Sequence, residues 1–89
     1  MSMPSVQAMT VRVLFFSTLK DLVGTSELPI ELPVQSSVGD LLAQLERQFP
    51  GLDQWREKLL IAVNHEYAER TQLVEDGNEI AIMPPVQGG

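Results

Sequence analysis

The 89-residue sequence contains no cysteine and a single histidine, His65. Without cysteine, the chain has no disulfide, no thiolate nucleophile and no cysteine-ligated metal. One histidine leaves little basis for a multi-histidine metal site or a Ser-His-Asp triad. These absences remove much of the enzyme repertoire, and we expect no metal site.

Basic residues are also scarce, since 6 Lys and Arg stand against 12 Asp and Glu, for a formal charge of -6. Proteins that bind nucleic acid need a Lys/Arg footprint, so we expect no nucleic-acid partner. No stretch approaches ~20 consecutive apolar residues, and residues 1–9 lack the basic start of a secretory signal. We therefore expect no membrane partner and a cytoplasmic location. The acidity suits a partner protein with a basic surface, although solubility alone explains it.

Alternation of apolar and other residues predicts β-strands in three stretches. They are "TVRVLFFS", "SELPIELP" and "EIAIM". Pro29 and Pro33 cannot donate to a ladder, which favours an edge position for the second strand. A fourth strand is predicted in "LLIAVNHEYA", with a bend at residues 64–66.

Two helices are predicted between these strands. In "SSVGDLLAQLERQFPG" the apolar residues recur at helical spacing, Ser37 fits the N-cap with Asp40 in the first turn, and a Pro-Gly pair ends the helix. A shorter helix is predicted in "STLKDLVG", with Ser17 as N-cap and Gly24 just past its end.

The order of these elements predicts an α+β fold, because one amphipathic helix covers only one face of a sheet. It fits a β-grasp, or ubiquitin-like roll: a mixed sheet with one main helix on one face and the first and last strands side by side in the middle. Residues 1–9 are predicted to be a flexible extension, residues 10–83 the domain and residues 84–89 a C-terminal tail.

The sheet face away from the helix is predicted to carry large apolar side chains. Strand alternation places Phe16 and Met83 there, and Tyr67 joins them if the bend allows. Such residues on a solvated face often mark a docking surface. The alternative is that the N-terminal extension or the connector at residues 52–58 covers them, or that they are scattered apolar surface.

The C-terminal tail combines a stiff start with an unhindered end. Pro84 and Pro85 favour polyproline II, so the tail projects, and with Val86 they are expected to contact a partner. Gly88 and Gly89 have no Cβ and could thread a narrow channel. The Gly89 carboxylate would need activation, most simply as an acyl-adenylate, before transfer to a lysine or a sulfur donor.

Three stretches carry a family resemblance: "VRVLFFSTLKDLVG", "KLLIAVNHEYA" and "LVEDGNEIAIMPPVQGG". They resemble the small subunit of molybdopterin synthase, the MoaD-type sulfur carrier. The "PPV-x-GG" ending, the "AVN" segment and the Asp-Gly turn are its most specific elements, and Gln87 departs from the small residue or Thr that is usual in the family. The resemblance runs from about Val11 to Gly89.

The resemblance implies a reaction cycle and its partners. An ATP-dependent activating enzyme adenylates Gly89, a persulfide donor supplies sulfur, and the resulting thiocarboxylate gives sulfur to precursor Z (cyclic pyranopterin monophosphate) in the large subunit of molybdopterin synthase. Carrier and large subunits form a heterotetramer, and no cofactor is stably bound to the carrier. By position, Phe16, Tyr67 and Met83 match the family's apolar docking surface.

Three other functions remain open from the sequence. A ThiS-like sulfur carrier for thiamine thiazole synthesis shares the fold, the tail and the activation chemistry. A protein modifier would leave isopeptide adducts on lysines. A β-grasp interaction module would not use its Gly-Gly at all. A stand-alone enzyme is the least supported, since no nucleophile, base or metal constellation is present.

Overall fold

The computed structural model describes residues 7–85. Its elements follow the predicted order, with a short 3-10 helix in the connector after the main helix. In chain order they are β1 (Ala8–Phe15), α1 (Thr18–Val23), β2 (Glu27–Pro33), α2 (Val38–Gln48), the 3-10 helix (Pro50–Trp55), β3 (Leu60–Val63), β4 (Glu66–Tyr67) and β5 (Glu79–Met83).

The strands form one mixed sheet in the order β2-β1-β5-β3-β4. The first and last strands, β1 and β5, lie side by side and parallel, while every other neighbouring pair is antiparallel. This topology confirms the predicted α+β class and the β-grasp arrangement. It also places β5, the strand that leads into the tail, between β1 and β3.

Helix α2 packs its apolar stripe on one face of this sheet. Its four buried residues are Val38, Leu41, Leu42 and Leu45. They meet alternate residues of the two central strands, among them Val11, Val13, Phe15, Ile80 and Ile82. Full burial of one such side chain contributes about 2 kcal/mol, so this layer dominates the stability of the domain.

The start of α2 is fixed by a reciprocal capping box. The Ser37 hydroxyl accepts a hydrogen bond from the Asp40 amide at 3.1 Å, and the Asp40 carboxylate accepts one from the Ser37 amide at 2.9 Å. The amides of the first two helical residues, Val38 and Gly39, donate to backbone carbonyl oxygens of the 70–72 segment. The predicted cap is confirmed, and it satisfies the donors that a helix start leaves open.

The first strand begins earlier than the sequence predicted. β1 starts at Ala8, and Met9 is buried opposite Leu32 of β2. The predicted boundary after residue 9 is therefore wrong, because the strand's alternation continues and carries Met9 onto the same buried face as Val11. Residues 1–6 of the predicted extension lie outside the described part of the chain.

Helix α1 lies between its two predicted cap residues. Gly24 follows it with a left-handed φ of 95° and donates to the Lys20 carbonyl oxygen at 2.8 Å. Ser17 takes the predicted N-cap position at the other end, but its side chain makes no capping bond. The cause is its backbone: Ser17 has a φ of 57° instead of the extended conformation of an N-cap residue.

The outer edge of β2 is closed to further strands. The Phe15 amide donates to the Ser26 carbonyl oxygen, and the Val34 amide donates to that of Gln7. These two hydrogen bonds fix which residues of β2 direct their backbone N–H and C=O groups toward β1. By alternation, the backbones of the remaining β2 residues point outward.

Two of these outward positions are Pro29 and Pro33, which have no N–H to offer another strand. A third, Glu31, has its carbonyl oxygen occupied by the Gln44 side-chain amide from α2, at 3.2 Å. The predicted edge position of β2 is confirmed, and two of its outward positions lack the N–H that strand addition needs.

A two-residue hairpin connects β3 and β4, at the predicted bend. Asn64 and His65 both have positive φ, 50° and 75°, as the tight turns that match strand twist require. Asn64 also ties the turn to β5, because its side-chain oxygen accepts from the Glu79 amide and its own amide donates to the Glu79 carbonyl, each at 2.8 Å.

Candidate functional site

The sheet face opposite α2 carries a shallow depression of about 300 Å³ beside the end of β5. Side chains from β1, β3, β4 and β5 line it, because residues of equal parity on neighbouring strands point to the same face. Its lining residues are Leu14, Phe16, Ala62, His65, Tyr67, Glu79, Ala81 and Met83.

A pair of alanines forms the floor of the depression. Ala62 of β3 lies directly opposite Ala81 of β5. Larger side chains stand around these small residues, and two of them are well exposed: Phe16 at 44% and Tyr67 at 75%. A low floor with apolar walls suits insertion of apolar side chains from a partner protein.

The polar rim of the depression is organised around Glu79. One carboxylate oxygen accepts from the Arg12 guanidinium at 2.7 Å, and the other lies 3.7 Å from His65 Nε2. Arg12 also pairs with Glu27 at 3.3 Å. The hydrogen bond to Glu79, followed by the charge of Glu27, raises the pKa of Arg12. The apolar depression therefore ends at a fixed ionic row.

The structure brings the predicted docking residues together. Phe16, Tyr67 and Met83 line this one depression, and the half-buried Pro84 and Pro85 follow Met83 directly. Their role in binding stays a prediction. The other predicted tail residues lie outside the described residues: Val86, Gly88 and Gly89.

Sequence reasoning missed five lining residues of this surface as site residues: the apolar Leu14, Ala62 and Ala81, and the polar His65 and Glu79. Alternation already placed Leu14 on the open face with Phe16. The same pattern marks Ala81, which stands between two buried isoleucines of β5. Ala62 had no comparable signal, because its facing depends on how β3 pairs with β5.

A second groove, of about 390 Å³, lies along α2 on the other side of the molecule. Three of its four charged side chains are already engaged. Arg56 forms a two-point ion pair with Glu46, and Arg70 donates to two backbone carbonyls. The Arg56 hydrogen bond lowers the pKa of Glu46. This groove therefore offers fewer unengaged groups to a ligand than its charges suggest.

Within residues 7–85, no group of three or more His, Cys, Asp or Glu side chains is arranged to hold a metal ion. No helix in this part of the chain has the length and apolar character needed to cross a membrane.

Comparison with known proteins identifies the family. The family model described as the ThiS family matches residues 13–89. A molybdopterin synthase sulfur carrier subunit of Arabidopsis thaliana is 33% identical over 79 residues, covering 89% of this chain and 82% of the relative. A protein of the same name from Chlamydomonas reinhardtii is 35% identical over 83 residues, covering 91% and 100%.

Solved structures agree with this fold. One match is a chain of the protein-protein complex of subunits 1 and 2 of molybdopterin-converting factor from Helicobacter pylori. It has 26% identity and a TM-score of 0.66, over 91% of this chain and 100% of that one. The small archaeal modifier protein 1 of Methanosarcina acetivorans matches with 27% identity and a TM-score of 0.76, over 93% and 99%.

The family match spans most of the chain, and the Arabidopsis and Chlamydomonas relatives exceed 30% identity over nearly all of it. The fold, with β1 beside β5 and one main helix on the sheet, is the one these neighbours share. The chain therefore belongs to the ThiS/MoaD family of ubiquitin-like β-grasp proteins.

Proposed function

We propose that this chain is the sulfur carrier subunit of molybdopterin synthase and that the α-carboxylate of Gly89 carries the sulfur. The observation that supports this most directly is the full-length similarity to relatives named for that role, with a family match that extends through residue 89. This similarity favours the molybdopterin pathway over thiazole synthesis.

The chemistry of the cycle begins with activation, because a free carboxylate resists nucleophilic attack. ATP, bound by the activating enzyme and not by this chain, converts the Gly89 carboxylate into an acyl-adenylate and releases pyrophosphate. A persulfide then displaces AMP, and a donor thiol cleaves the new S–S bond to leave a thiocarboxylate. This product donates its sulfur to precursor Z as the dithiolene of molybdopterin forms.

The domain itself serves as a docking body for this tail. The apolar depression containing Phe16, Tyr67 and Met83 binds the large subunit of molybdopterin synthase, and the activating enzyme uses the same surface in turn. The Helicobacter pylori complex of subunits 1 and 2 supports the large subunit as partner. Carrier and large subunits assemble as a heterotetramer.

The length of the tail supports separate roles for the folded domain and the tail. The four residues that follow Pro85 extend at most about 14 Å. Glycines at the end, Gly88 and Gly89, allow entry into a channel too narrow for a Cβ. The depression therefore anchors the carrier outside the channel while Gly89 reacts within it.

The deciding experiment is intact-mass spectrometry after incubation with ATP, the cognate activating enzyme and a sulfur donor. We expect replacement of one carboxylate oxygen by sulfur, and no change in a variant that lacks Gly89. Dithiolene formation from precursor Z with the large subunit then separates this function from thiazole synthesis. An unchanged mass, beside a control carrier that reacts, would leave the interaction module as the better account.

A protein modifier is the second candidate, favoured by the similarity to the Methanosarcina acetivorans modifier. It predicts Gly-Gly remnants on lysines of other proteins after proteolysis of cell extracts. Their absence, together with a thiocarboxylated chain, would exclude conjugation as the main activity.

A further inference from the structure

We propose that Lys20 and Lys58, on either side of the start of the tail, contact acidic side chains at the rim of the channel that receives it in the large subunit. This inference rests on the proposed function, because it assumes that the tail enters that subunit. It adds a charged contact to the apolar depression and specifies the chemistry of the partner surface.

Sheet topology places Lys20 on the β1 side of the tail. Phe16, just after β1, donates its amide to the carbonyl oxygen of Ile82 in β5 at 3.2 Å. Helix α1 follows at once, and Lys20 lines a shallow depression of about 320 Å³ together with Phe16 and Ser17. Lys20 therefore lies beside the proposed docking surface, at the end of the sheet where β5 finishes.

The same topology places Lys58 on the β3 side. Leu60, the first residue of β3, lies opposite Met83, the last residue of β5. Lys58 comes two residues before Leu60 and is exposed. Since β5 runs between β1 and β3, the only two lysines of the sequence flank the point where the tail begins.

Neither lysine makes an ion pair within residues 7–85, although the chain has twice as many acidic as basic residues. By contrast, Arg12 and Arg56 are each paired with carboxylates. A cation that is not neutralised by the described residues keeps its charge available to steer and orient a partner. Two such cations at the start of the tail match an acidic surface.

The length of the tail determines which part of the partner the two lysines contact. Four residues can span at most about 14 Å, which limits how far Gly89 can lie from Pro85, whereas the lysines belong to the folded domain. Their ammonium groups therefore contact the rim of the channel rather than the reacting groups at its end. The occupant is thus an acidic protein rim, and not the phosphate groups of a substrate.

Binding of the large subunit by Lys20→Glu and Lys58→Glu variants tests the proposal. We expect each to weaken binding by about fivefold to tenfold at low salt, mainly through slower association, and by less at high salt. Arg47→Glu is the matched control: Arg47 is exposed near the end of α2, on the opposite face, and we expect less than about a twofold change. Lys→Arg variants should retain wild-type binding.

The outcomes separate this inference from the proposed function. Equal losses in the lysine and Arg47 variants, or no loss in either lysine variant, would overturn the inference while wild-type binding leaves the function intact. The lysine variants could also bind the large subunit normally and only raise the KM of the activating enzyme for this chain. That result would assign the acidic rim to the activating enzyme and would also overturn the inference. Failure of the wild-type chain to bind the large subunit would overturn both. Unchanged thermal unfolding of each variant excludes a folding defect.

Discussion

The amide of Phe16 donates a hydrogen bond of 3.2 Å to the carbonyl oxygen of Ile82. This bond continues the parallel pairing of β1 and β5 by one residue past the end of β1. It holds the exposed Phe16 ring beside Met83, at the point where the chain enters the tail. The proposed docking surface and the proposed reactive tail are therefore connected by backbone pairing in the centre of the sheet.

Truncation of the Phe16 side chain should weaken docking without unfolding the domain. Phe16 is 44% exposed in the free chain, so Phe16→Ala should change the free energy of unfolding by less than about 1 kcal/mol. Its affinity for the large subunit should fall by about tenfold or more, as for a central aromatic residue of an interface. Calorimetric titration and thermal unfolding measure the two effects.

The control for that experiment is Leu73→Ala, since Leu73 is 57% exposed and lies beside the start of α2, apart from the depression. Its affinity should match the wild type. Equal affinity of the Phe16 variant would show that the depression is not the docking surface.

The ion pair between Glu46 and Arg56 should make stability depend on pH. Because Arg56 lowers the pKa of Glu46 in the folded state, the pair stabilises the fold above the ordinary pKa of a glutamate, and this stabilisation is lost as pH falls through the lowered value. Glu46→Gln should cost about 0.5–1 kcal/mol at neutral pH, since Arg56 is largely exposed, and little in acid.

Urea unfolding of Glu46→Gln and wild type at neutral and acidic pH measures this difference. Glu69→Gln is the matched control, because Glu69 makes no ion pair within the described range. A cost for Glu46→Gln that stays constant with pH would argue against the pair as its cause.

The hairpin between β3 and β4 offers a stabilising substitution. His65 holds a φ of 75° that glycine adopts more easily, and its side chain is 82% exposed. His65→Gly should therefore raise the free energy of unfolding by about 0.5–1 kcal/mol. Asn64→Ala should lower the free energy of unfolding by about 1–2 kcal/mol, because alanine loses the hydrogen bond from the Glu79 amide to the Asn64 side chain. Chemical denaturation should therefore show that the two substitutions change the free energy of unfolding in opposite directions.

Opening the edge of β2 should cause self-association. A Pro29→Thr, Pro33→Thr double variant restores two outward N–H groups, so strands of two molecules could pair there. Sedimentation over a range of concentrations should show dimers or larger species that the wild type lacks. Glu31→Thr raises β-propensity on the same strand without adding a donor, and it should stay closer to the wild type.

Much of the fold could be predicted from the sequence because the signals are local. The stripe of α2 and its Ser37–Asp40 cap depend on residues within a few positions of each other. The positive φ of Gly24 and Gly77 likewise falls where turn-forming residues occur. The early start of β1 at Ala8 was missed because one buried residue, Met9, is too short a pattern to extend a strand by itself.

The candidate site was predicted only in part. Strand parity identified Phe16 and Met83, with Tyr67 joining them if the bend allowed, and the resemblance to the sulfur carriers indicated the same three residues. The alanine floor could not be foreseen, because Ala62 and Ala81 meet only through the register of β3 with β5.

The sequence by itself determined the inward-facing stripe of the main helix, where that helix starts and the Gly-Gly motif at residues 88–89, since each follows from local spacing or composition. Only the tertiary structure decided what comes together around β5. Arg12 meets Glu79 across 67 positions, and Lys20 and Lys58 come to flank the same strand from opposite sides. The physical reason is that strand pairing joins segments far apart in the chain, and its register depends on the whole core.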